Sequence, residues 1–365
     1  MDIATTLRRF ALQLGTRLVK FGLGGSNRAV STAHAYRERV QQEIQHYETV
    51  EQVHDLPDIF HFWSNRYVRP KLEAVFEVSG FDDLYAKYIQ RYGTDHPGET
   101  VEVFSLGAGN ADTEVRIAQK LRSGGFTDFQ FHCLDLNPEM LRRGRELARS
   151  CQLADRFELV EVDLAKWRPN RAVAVVMAHH SLHHMVELEE IFQRVKEAIG
   201  GAGYFVTTDM IGRNGHMRWP EAMAIVREIW KTMPERYRYN HQLGRLEEEY
   251  ENWDCSKEGF EGIRSQDILP LLLKTFPFEA FAAYGNLPEV FVDRGFGPNF
   301  DIRNPEDTAF VDRIGALNDR LIGEGAIKPT QMAAVMRAVP VASPRCYQHW
   351  TPEFCVRPVD ANRTG

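Results

Sequence analysis

Two rhythms of apolar residues run through this chain. In its middle third they form short solid runs, each closed by a polar or glycine-rich tip: Val101–Leu106, Phe129–Leu134, Phe157–Val162, Val173–Ala178 and the run from Gly203 to Thr208. Runs of that length bounded by turn residues predict strands buried on both faces. Between them the apolar positions fall three to four apart, as in Val115, Ala118 and Leu121, which predicts helices. Alternation of the two predicts an α/β fold with a doubly wound, mainly parallel sheet. Phe278–Tyr284 reads as a sixth strand and Leu287–Val292 as a seventh.

Flanking stretches follow helical spacing. Leu7, Phe10, Leu14, Leu18 and Phe21 share a face within Thr5 to Leu23, with Arg8, Arg9, Arg17 and Lys20 around them, so this is a basic amphipathic helix. It suits packing on the protein itself or on a second subunit, or alternatively a membrane-surface anchor or a targeting peptide. Ser31 to Tyr92 is helical throughout. After Met210 a long excursion rich in tryptophan, tyrosine and methionine separates the fifth strand from the next family of apolar runs. Pro220 opens a helix to about Met233, and an acidic helix is expected over Leu243 to Glu251. Two amphipathic helices are expected between Pro305 and Arg337, split by Gly323 and Gly325. The tail from Ser343 reads as poorly ordered.

The first strand ends in Ser105-Leu-Gly107-Ala-Gly109-Asn-Ala-Asp112. Glycines there allow unusual backbone angles and close approach of a ligand to the main chain. The second strand ends at Asp135 and the third run at Asp163, placed to accept ribose hydroxyls and an adenine amino group respectively. A nicotinamide cofactor fits poorly, because the third glycine of its fingerprint would fall at Asp112, whose charge repels a pyrophosphate.

Phe104-Ser-Leu-Gly-Ala-Gly-Asn-Ala, Leu134-Asp-Leu-Asn-Pro-Glu-Met-Leu141, Glu161-Val-Asp-Leu164 and Val175-Val-Met-Ala-His-His-Ser-Leu-His-His184 stand in order and at matching spacing. Together, across roughly Val101 to Thr208, they resemble the class I S-adenosylmethionine-dependent methyltransferases. Two departures are Ser105, where the family often has an acid, and Ala111, where it has a third glycine. The resemblance implies a seven-stranded Rossmann-like sheet whose last strand is antiparallel, with S-adenosylmethionine as cofactor. It implies that Gly107 and Gly109 contact the cofactor's amino-acid end, Asp135 the ribose and Asp163 the adenine, and that Ser105, Ala108, Asn110, Leu136, Met140 and Leu164 also bind the cofactor. Trp63, Tyr67 and Arg69, in the N-terminal helices, are candidates for the sulfonium and the carboxylate.

The resemblance also divides the chain: an N-terminal helical region covering the cofactor (1–97), the binding core (98–210), a lid that recognises the acceptor (211–265), the closing part of the core (266–342) and the tail (343–365). Dimerisation through the lid or the N-terminal helix is the alternative use of those surfaces. Past the fourth strand, His179, His183 and His184 are candidate general bases, and Asp209 can bind the acceptor, orient a histidine or cap its loop. His179/His183 and His180/His184 are each four apart, yet no carboxylate or cysteine stands near them in sequence, so no metal is expected.

Across its 365 residues the chain is 43% hydrophobic and 26% charged, ordinary for a globular protein, and its net charge of −7 lowers the expectation of nucleic acid as a partner. Five cysteines without paired spacing suggest a reducing, cytoplasmic setting. No apolar run reaches the ~18 residues of a membrane span. The expected activity is methyl transfer to oxygen or nitrogen of a small-molecule acceptor. The rivals are a protein or RNA methyltransferase, which Arg142, Arg143, Arg145 and Arg149 would serve as a basic patch, and a cofactor-binding protein without catalysis.

Overall fold

The computed structural model describes residues 56–169, 172–257 and 259–358, together with Tyr36, Arg39 and Val40. The basic amphipathic stretch from Thr5 to Leu23 lies outside them. Five runs form the strands expected of them: β1 (Val101–Leu106), β2 (Phe129–Asp135), β3 (Phe157–Glu161), β4 (Val175–His179) and β5 (Tyr204–Met210). They pair in parallel in the order β3-β2-β1-β4-β5. Because chain order reverses between β1 and β4, a crevice opens beyond their C-terminal ends, the usual ligand place in such sheets.

The intervening helices start where the sequence supplies starts. Pro138 occupies the first turn of Pro138–Ser150, and the Asn137 side chain accepts from the Glu139 and Met140 amides. Asp112–Ser123 opens on two acids and closes on Lys120 and Arg122, each suited to its end of the helix dipole. The helix Phe81–Asp95 packs on β1, β4, β5 and Asp112–Ser123, while Leu188–Ile199 packs on β4, β5 and the later helix Ser265–Thr275.

Past β5 the structure departs from the sequence reading in four places. Pro220–Thr232 is a helix, but the acidic stretch after it is not. Instead β6 (Tyr239–Asn240) and β7 (Arg245–Leu246) make a small hairpin, because the Asn240 side chain accepts from the Gln242 and Leu243 amides and Gly244 takes φ +65°. β8 (Phe278–Tyr284) is the sixth strand as expected. Leu287–Val292 is no strand: Pro288 leads into one helical turn, Glu289–Val292. The antiparallel strand is β9 (Gln331–Met336), which enters between β5 and β8 and runs opposite to both. Only one helix, Pro305–Gly323, precedes it, capped by Asn304.

The tail is also built in. β10 (Arg345–Cys346) adds an eighth strand to the large sheet, parallel to β8, and Thr351 caps the turn Pro352–Cys355. Trp350 is buried, and the buried ammonium of Lys71 lies near its ring and that of Tyr347 while pairing with Asp319. All five cysteines are free thiols. Among the described residues no helix is long and apolar enough to cross a membrane.

Candidate functional site

A cavity of about 230 Å³ opens where β1, β2 and β4 end. Its floor is the glycine turn. The amides of Gly107 and Ala108 donate to the Leu134 carbonyl, which ties the turn to the tip of β2. Gly107 has φ +71°, and a Cβ there would stand 2.7 Å from Ser181 Cβ, so both backbone and space demand glycine. Gly144 serves differently: a Cβ on it would come within 2.9 Å of the Asn110 carbonyl, so its absence lets the Pro138–Ser150 helix approach the turn. Ala111 adopts φ +53° where a glycine is at ease, and its side chain is fully buried.

Of the residues expected around a cofactor, Gly107, Ala108, Gly109, Asn110, Asp135, Leu136, Met140, Asp163 and Leu164 all line this cavity. Asp135 accepts from the Gly109 amide at one oxygen and the Asn137 amide at the other, both at 2.8 Å. Burial raises its pKa, opposed by those amides. Asp163 accepts from the Tyr36 hydroxyl at 3.0 Å and from the Ala165 amide, and pairs with Lys166. Tyr36 and Phe260, with ring centroids 5.5 Å apart, form part of the wall.

Four expected residues stand elsewhere. Ser105 is buried behind the turn and donates to Glu114 Oε1 at 2.5 Å. Trp63 packs edge-on against Phe60 in the core. The Tyr67 hydroxyl donates to the Asp312 carbonyl, and Arg69 pairs with Glu73 on the surface. Tyr67 and Trp63 therefore hold the N-terminal helices in place, with the Tyr67 ring set against Gly315, rather than facing a ligand.

The sequence reading passed over Glu114. It lines the cavity, and burial raises its pKa to about 7, against the hydrogen bond from Ser105. Among the described residues its Oε2 has no hydrogen-bond partner. A readable signal existed: Glu114 falls on the same helical face as Ile117, Ala118 and Leu121, where a carboxylate is out of place. Ser105 thus hydrogen-bonds an acid carried by the next helix.

Of the candidate bases, His179 and His184 line the cavity and His183 does not. His179 Nδ1 lies 2.6 Å from the Thr208 hydroxyl, and its ring meets Phe81 and Tyr85. Asp209 is fully buried and does not line the cavity. Its carboxylate takes the Ser181 and Leu182 amides and His183 Nδ1, so of the three expected roles it orients a histidine and caps the loop. Burial alone would lower the His183 pKa, but the Asp209 charge and hydrogen bond, joined by Glu261, raise it to about 10. The segment is a single tight turn, Leu182–His184, so the pairs four apart do not align. A carboxylate does reach these histidines, however: Glu261, from the far end of the excursion after β5.

Three of the four arginines of the helix after β2 have partners within the protein. Arg142 and Arg143 pair with Glu139, Arg142 also with Glu146, and Arg145 donates to the Leu159 carbonyl.

Residues 103–203 match the family model described as a methyltransferase domain. They run from within β1 to the residue before β5 and include the strand ends that build the cavity. The chain carries a class I methyltransferase domain. The departures at Ser105 and Ala111 both lie within the matched stretch. No curated protein matches the methyltransferase in sequence. Among solved structures it is similar to geranyl diphosphate C-methyltransferase from Streptomyces coelicolor A3(2), in complex with Mg2+, geranyl diphosphate and S-adenosyl-L-homocysteine. There the identity is 12%, with 85% of this chain and 100% of that one covered and a TM-score of 0.43. It is also similar to the [4+2]-cyclase SpnF at 14% identity, covering 78% and 96%, with a TM-score of 0.38.

Proposed function

We propose that the methyltransferase moves the methyl group of S-adenosylmethionine to an oxygen or nitrogen of a small-molecule acceptor. The observation that carries this is the continuity of one walled cavity, from the glycine turn and the two strand-tip acids to His179 and His184, with Tyr36 and Phe260 in its wall. In it Gly107, Ala108, Gly109 and Asn110 take the cofactor's amino-acid end, Asp135 the ribose hydroxyls and Asp163 the adenine amine. Leu136, Met140 and Leu164 supply apolar contact. Glu114 Oε2, unpartnered among the described residues, accepts the cofactor's ammonium.

The donor is already activated as a sulfonium, so the protein's work is to align the acceptor and exclude water. The wall residues do the second. For a hydroxyl acceptor, His179 takes the proton, with Thr208 fixing its ring. A broad protein or RNA substrate is disfavoured by the pairing of Arg142, Arg143 and Arg145 and by the net charge of −7.

Calorimetric titration with S-adenosylmethionine tests the cofactor placement. Asp135→Ala is expected to lose about 1.5–3 kcal/mol of affinity, the cost of a lost charged hydrogen-bond partner, and unchanged affinity would move the ribose site. Label transfer from methyl-labelled cofactor to a panel of small alcohols, phenols and amines, with RNA and protein alongside, tests the acceptor class. Label on RNA or protein alone would overturn it.

A further inference from the structure

Beside the cofactor cavity, three side chains from separate stretches converge. His183 stands in the turn after β4, His216 at the beginning of the excursion after β5, and Glu261 near its end. One donor atom from each lies within 4.8 Å of the others. His216 Nε2 is 2.5 Å from Glu261 Oε1, and His183 Nε2 is 3.5 Å from the same oxygen. Bonds of about 2.0–2.2 Å to one ion place neighbouring donors about 3–3.5 Å apart, so small side-chain shifts suffice to seat one.

The surroundings are those of a built site. His183 is held through Nδ1 by Asp209 at 2.6 Å, which turns Nε2 toward Glu261, the usual arrangement behind an imidazole that gives up its Nε2 proton to a metal. Asp209 is fixed in turn by the Ser181 and Leu182 amides. Main-chain bonds tie the three stretches to each other: the Gly215 amide donates to the Gly262 carbonyl and the Ile263 amide to the His183 carbonyl. His216 is held at φ +56°, left-handed for a residue that is not glycine.

We propose that His183, His216 and Glu261 bind a divalent transition-metal ion, zinc or ferrous iron in chemical class, with Asp209 as the positioning residue behind His183. Two imidazoles and one carboxylate select such ions over magnesium or calcium, which take oxygen ligands. Three protein donors leave a position for water or for an acceptor atom. His184, which lines the cavity and lies 3.4 Å from Glu261 Oε2, joins the site to the cofactor pocket. The proposal does not rest on the acceptor being small.

The test uses the full chain, stripped with a chelator and titrated with Zn2+ against a chromogenic competitor, and with Co2+ for its visible absorption. One Zn2+ per chain is expected. His216→Ala and Glu261→Ala should each weaken it at least 100-fold, and Asp209→Asn about 10- to 100-fold. S-adenosylhomocysteine affinity measured on the same samples should persist in His216→Ala, which reports an intact fold. Zn2+ affinity equal in the wild type and His216→Ala would overturn the site. If the variants fail to fold, X-ray absorption of the wild-type Co2+ form decides: two imidazoles in the first shell uphold it, and none overturns it.

Discussion

A buried carboxyl titrates where its surroundings put it, and Glu114 sits among Ser105, the glycine turn and the apolar face of its own helix. Its pKa is near 4.5 when unfolded and about 7 when folded. The folded state therefore binds more protons between those values, and stability falls as pH rises from 4.5 to 7, by roughly 3 kcal/mol in the ligand-free protein. Urea midpoints at pH 5 and pH 7.5 measure it, and Glu114→Gln should flatten the difference. Cofactor affinity should run the other way, rising through pH 7 as the carboxylate forms to meet the ammonium, with that slope also absent in Glu114→Gln. At Gly107, alanine meets both the left-handed backbone and the Ser181 Cβ, so Gly107→Ala should cost about 2–4 kcal/mol of stability by chemical denaturation. Much of this site was legible because its residues lie at strand tips, and a tip is located by the strand before it. Asp135 and Asp163 needed nothing more. Trp63, Tyr67 and Arg69 misled because an aromatic and cationic group looks the same in sequence whether it faces a ligand or a helix, and the partner Asp312 is remote in sequence. His216 and Glu261 escaped for the same reason.

Elements were legible where local pattern and environment agree. β1 to β5 are solid apolar runs buried in a sheet, and they were readable at once. β9, Gln-Met-Ala-Ala-Val-Met, is rich in residues that favour helices, and it becomes a strand because β5 and β8 both offer it an unpaired edge. The excursion after β5 is fastened by chemistry no pattern reveals. Arg218 donates to the Asn286 carbonyl and to Glu289, and Glu289 also accepts from Thr330 and Gln331. Both charges are buried, so Arg218→Ala should leave Glu289 uncompensated and cost about 3–5 kcal/mol, read from a denaturant melt. Removing both charges together, in Arg218→Met with Glu289→Gln, should recover part of that loss.

At the scale of the molecule, the large sheet closes out of chain order: β9 comes late and sits in the middle. The parallel half needs nothing beyond Met210 to pair internally, whereas β5 and β8 each keep an open edge until Gln331–Met336 arrives. A chain ending at residue 330 should retain much of its helical and strand signal in circular dichroism yet self-associate, as seen by light scattering, because open edges recruit one another. A soluble monomeric truncation would contradict this. For a protein made from one end to the other, this means that during synthesis the cofactor pocket can take shape while the sheet is still unfinished. S-adenosylmethionine, or a chaperone guarding the β5 edge, could then meet the nascent chain before its last strand has left the ribosome.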